Sequence, residues 1–137
     1  HLPLEPKEVE SLVVIFFRLL SNLEVPDVEL LNFAFYSPEK IPVEKWNEWL
    51  NRWWECTKGA PNRGKMRGVN PKFVLRNWMA QLAIDAAEKG DYTVAEELHH
   101  LLKSPYAEQS EYESKWFQKR PEWAEHRVGC SMLSCSS

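Results

Sequence analysis

The side chains with the most chemical reach lie near the C-terminus, where Cys135 stands between Ser134 and Ser136 and Cys130 lies five residues before it. A thiol in a small polar setting can ionise, attack a disulfide and pass through a mixed-disulfide intermediate. A neighbouring cysteine can then resolve that intermediate, which makes Cys135 and Cys130 the redox candidates of this chain. Two plain thiols in a frayed chain end fit the same residues, and residue chemistry by itself leaves both readings open. Cys56, beside Trp53 and Trp54, brings the cysteines to three. An odd count argues against a secreted disulfide scaffold and suits a reducing compartment.

Other constellations fall short of a site. Gly59 and Gly64-Lys65 follow the spacing of a phosphate-binding loop, but Met66 stands where Ser or Thr must hold magnesium, and the segment follows a tryptophan-rich helix rather than a strand. A flexible loop between helices is expected there. Lys58, Arg63, Lys65, Arg67, Lys72 and Arg76 occur with no acid among residues 58–76. With a net charge of -3 and no accompanying motif, nucleic acid is not the expected partner. A solvated stretch whose Arg76 pairs internally, or one docked against an acidic protein face, fits better. His99 and His100 are adjacent, whereas helical metal pairs need spacings of three or four. His126 stands alone, so no metal site is assigned. Glu96 and Glu97 read as an exposed helix face. No Ser-His-Asp or Cys-His arrangement emerges, and no catalytic or cofactor-binding residue is assigned. Trp46, Trp49 and Trp53 share one helical face, which marks core or an interface, and Trp54 must look elsewhere.

The elements that carry these residues read as helices. Val9, Leu12, Val13, Phe16, Leu19 and Leu20 recur at spacings of three and four, predicting a helix over residues 6–21 with Pro6 in its first turn. Pro26-Asp27 opens a second, shorter helix to about Phe35, with Leu30, Leu31 and Ala34 on one face, and Ser37-Pro38 stops it. Pro42 opens a third, whose apolar face is Val43, Trp46, Trp49, Leu50 and Trp53. Gly59 ends it, and a loop runs to about Asn70. Asn70 then caps a fourth helix with Pro71 at its first position and Val74, Leu75, Trp78, Met79, Leu82, Ala83 and Ala86 inward. Lys89-Gly90 closes that helix. Asp91 caps a fifth, with Val94, Ala95, Leu98, Leu101 and Leu102 inward, and the pair forms an αα-hairpin. Beyond Ser104-Pro105 no period persists. Tyr106, Tyr112, Trp116, Phe117 and Trp123 are expected to anchor an ordered but irregular tail. The class is all-α, divided into a helical region 1–104 and a tail 105–137.

The chain has 137 residues and seven tryptophans, enough for a real core. It opens on His1, so it is expected to be a piece of a longer protein. The longest apolar run, Leu12 to Phe17, is far below the ~20 residues of a membrane span.

Several blocks in order carry a family resemblance. Asn70-Pro71-Lys72-Phe73-Val74-Leu75-Arg76-Asn77-Trp78 resembles the C-terminal signature of the selenoprotein O family. Ala80-Gln81 and the run Ala83 to Asp91 continue it. Pro105-Tyr106, Glu108-Gln109 and Pro121-Glu122-Trp123-Ala124 resemble its later blocks, and Cys135-Ser136-Ser137 is similar to its bacterial and plant terminus. The likeness is close over residues 65–137; over residues 1–64 it is carried by the helical, aromatic pattern.

The resemblance implies the helical C-terminal segment of a protein-kinase-like, or pseudokinase, fold. The implied parent is a protein adenylyltransferase that moves AMP from ATP, with magnesium, to Ser, Thr or Tyr hydroxyls of protein substrates. Its nucleotide- and metal-binding residues lie upstream, so the implied partner of this chain is the N-terminal catalytic domain, and no ATP or magnesium is expected to bind here. Cys135 carries over as the terminal redox residue, the position a selenocysteine takes in animal members. Pro71, Arg76, Asn77 and Trp78 carry over as scaffold. The implied compartment is mitochondrial in a eukaryote and cytoplasmic in a bacterium. The alternatives are a stand-alone helical protein-interaction module and a thiol redox module centred on Cys135.

Overall fold

The computed structural model describes residues 9–130, with side chains from residue 13 onward. Among them every regular element is helical, so the all-α class stands. The chain divides into two compact units, His1–Pro71 and Lys72–Ser137. The boundary read from sequence at 104/105 falls inside the second.

In the first unit, helix α1 (Val9–Asn22) buries Ile15, Phe16 and Leu20. Pro6 lies outside the described residues. The second element is a 3-10 helix, Val28–Ala34, started by Asp27, whose carboxylate accepts from Glu29 N at 3.0 Å. A three-residue turn stacks every third side chain, so Val28, Leu31 and Ala34 are fully buried and Leu30 is 52% exposed. The expected Leu30–Leu31–Ala34 face is corrected accordingly. Helix α2 (Val43–Cys56) buries Trp46 and Leu50 and leaves Val43 exposed. Trp46 packs 5.5 Å from Phe16 and 5.2 Å from Phe35 between ring centroids. This aromatic cluster fixes α1, the 3-10 helix and α2 together, through offset and edge contacts that aromatic rings favour.

Helix α2 ends in two left-handed residues, Lys58 (φ 55) and Gly59 (φ 69), with Gly59 N donating to Trp54 O at 2.9 Å. A Cβ on Gly59 would lie 3.2 Å from Trp54 Nε1, so this position combines a positive φ with a close approach. The expected loop that follows is partly a helix, α3 (Arg63–Val69). Asn62 caps it by accepting from Lys65 N at 3.0 Å. Two glycines and three cations among its seven residues hid it, since such a segment has no apolar period to read.

At the end of the first unit, Asn70-Pro71 does not start a helix. Asn70 closes α3, donating from Nδ2 to Met66 O at 2.8 Å. The backbone N–H groups of Lys72 and Phe73 both donate to Pro105 O, at 2.8 and 3.1 Å, and this holds the segment extended. Helix α4 (Asn77–Ala87) therefore begins seven residues later than Asn70, and Val74 and Leu75 are exposed. It buries Trp78 and Met79 and packs on α5 (Thr93–Leu102), which buries Leu98 and Leu101, in the expected αα-hairpin. Gly90 (φ 83) makes the turn. Asp91 starts α5 by accepting from both the N–H and the hydroxyl of Thr93. Those donors hold the Asp91 carboxyl below its usual range. Ala95, expected inward, is exposed.

The stretch after Pro105 is more regular than its sequence suggests. A 3-10 turn, Ser110–Tyr112, leads into the short helices α6 (Glu113–Trp116) and α7 (Glu122–Glu125). Trp116 and Phe117 are buried anchors, Trp116 beside Trp78 at 5.8 Å and Phe117 beside Phe73 at 6.2 Å. Tyr106 and Trp123 are about half exposed rather than buried.

Candidate functional site

The most constrained polar constellation is built on Lys72, which is only 3% exposed. The backbone bonds to Pro105 aim its side chain inward. There Nζ donates to Glu108 O at 2.7 Å and pairs with Glu108 Oε2 at 3.1 Å and Glu113 Oε2 at 2.8 Å. Phe73 and Phe117 lie beneath the ammonium, each 5.5 Å from ring centroid to nitrogen. Three acceptors and two aromatic faces answer the three ammonium donors. Gln109 follows in a left-handed conformation (φ 39), held by its own side chain donating to Leu101 O and Ser104 O. This clamp fixes the path from α5 to α6.

A second clamp positions the exit towards the C-terminus. Arg127 grips Asp85 with two bonds of 2.7 Å, and Gln81 donates to the same carboxylate at 2.8 Å. The Arg127 hydrogen bonds, with Gln81, hold the Asp85 carboxyl below its usual range, and the same bond raises the Arg127 guanidinium. Trp123 stacks on Arg127 at 5.8 Å. A third contact joins α5 to α6. Burial pushes the Glu97 carboxyl up, but bonds from Lys115 (2.7 Å) and the Trp116 indole (2.6 Å) outweigh it and hold it below its usual range. Glu97 is thus an internal acceptor rather than part of a purely solvated face.

Of the sequence candidates, Cys130 is placed and Cys135 lies outside the described residues. Cys130 is a free thiol at 6% exposure, its N–H donating to Arg127 O at 3.1 Å. Cys56 is free and exposed. His99 and His100 lie exposed in the last turn of α5, and no group of three His, Cys, Asp or Glu able to hold a metal forms among the described residues. The loop-like Gly59–Lys65 spacing does not fit a nucleotide phosphate: Lys65 N is engaged by Asn62, and Gly59 faces Trp54. Arg76 donates to Gln118 O at 3.3 Å, the internal partner expected of it. Sequence reasoning missed the Lys72 clamp. Its acids lie 36 and 41 residues away, and a lysine in a basic stretch reads as solvated.

Comparison with known proteins gives the context. A protein nucleotidyltransferase YdiU from Flavobacterium johnsoniae is 47% identical over 141 residues, covering 93% of this chain. Those from Aromatoleum aromaticum and Tolumonas auensis are 46% and 42% identical, covering 100% and 96%. The chain belongs to the YdiU, or selenoprotein O, family. It spans about a quarter (27%) of the length of these curated relatives and matches their C-terminal part. No family model and no solved structure matches it.

Among the described residues, parts of the blocks that resemble the selenoprotein O family are bonded to one another within the second unit. Lys72 of the first block is bonded to Pro105 and Glu108 of a later one. Asp85 of the second holds Arg127, three residues beyond the Pro121–Ala124 block. In this chain Lys72, Asp85, Pro105 and Glu108 of those blocks take part in the ties of the second unit, and Cys130 follows shortly after Arg127 of the second tie.

Proposed function

We propose that this chain is the non-catalytic C-terminal part of a selenoprotein O-like protein nucleotidyltransferase. In this reading an upstream kinase-like domain binds ATP and magnesium and transfers AMP to Ser, Thr or Tyr hydroxyls of protein substrates. The chain supplies a helical scaffold and presents Cys135 for thiol exchange. The observation that supports it is the end-to-end likeness of the chain to about a quarter of the length of a protein named a nucleotidyltransferase. The bacterial source of the relatives favours the cytoplasm over the mitochondrion as its compartment. Two ties, Lys72–Glu108–Glu113 and Arg127–Asp85, hold the chain up to Cys130 in place, so the thiol at 135 is carried on a short segment from a fixed point.

The test has two arms. Incubated with ATP, magnesium and an acceptor protein, this chain transfers no AMP, whereas the full-length Flavobacterium johnsoniae relative does. Adenylylated acceptor formed by this chain, or none formed by the relative, contradicts the reading. In a Cys56→Ser background, Cys135→Ser abolishes fast exchange with a small disulfide, because the remaining thiol, Cys130, is buried. Unchanged exchange rules out the redox role.

A further inference from the structure

We draw no further inference here: the strongest candidate, the buried Cys130 thiol at the end of the turn that Arg127 ties to Asp85 of α4, is a lone cysteine beside which nothing among the described residues points to a ligand or a reaction partner.

Discussion

The two units solve the problem of holding short helices together in different ways. In the first, the interior is a continuous aromatic and aliphatic cluster around Phe16, Phe35 and Trp46. Its long-range polar contacts from Arg63 and Arg67 end on neutral oxygens near the surface. In the second, apolar packing is joined by charged clamps between distant residues: Lys72 with Glu108 and Glu113, Lys115 with Glu97, Arg127 with Asp85. The difference teaches where each kind of cohesion comes from. Apolar burial is distributed, so one loss is shared among neighbours. A buried ammonium concentrates its stabilisation in a few acceptors, and removing them leaves a charge without solvent or partner.

The sharpest way to break the comparison follows from that asymmetry. The double change Glu108→Ala and Glu113→Ala leaves the Lys72 ammonium with the Glu108 carbonyl as its one remaining acceptor among the described residues and should cost about 3 kcal/mol, read as lost urea stability of the second unit. Lys72→Met keeps the volume and leaves two half-exposed glutamates free to hydrate, so its cost should be smaller, about 1–2 kcal/mol. A larger loss from Lys72→Met than from the double change would invert the account of the clamp.

Titration sharpens the contrast further. Glu97 and Asp85 both have carboxyls held low in the folded state. Their contribution is fully present above the ordinary carboxylate range of about 4 and disappears as pH falls through the lowered folded values. Acid should therefore loosen the second unit, with Trp116 emission reporting the lost Glu97 bond, and Glu97→Gln should flatten that step. In the first unit, the smallest effect expected is at Leu30. Leu30→Ala should change stability by less than about 0.5 kcal/mol, whereas Leu31→Ala, one position on, should cost about 2–4 kcal/mol.

That last pair marks what sequence could and could not reveal. Helices α1, α2, α4 and α5 were legible because their apolar residues recur within one or two turns. The choice between an α-helix and a 3-10 helix over Val28–Ala34 was not legible, since both keep i and i+3 neighbours and differ in where Leu30 falls. Asn70-Pro71 carries sound helix-start chemistry, but the carbonyl of Pro105 captures the next two N–H groups, those of Lys72 and Phe73, from far along the chain. Of the candidate site, Cys130 and Arg76 were legible by type. The clamps were not, because nothing local distinguishes a lysine that pairs 36 residues later from one in water. Here the family resemblance located residues whose physical role only the fold reveals.

The central claim is that the nucleotide chemistry of the family is not performed by these residues. Calorimetry of this chain with ATP and magnesium tests it most directly. The account predicts no saturable heat up to millimolar nucleotide, because the Gly59 and Lys65 amides already donate to Trp54 O and Asn62 Oδ1 rather than being free for a phosphate. Binding in the low micromolar range would contradict it.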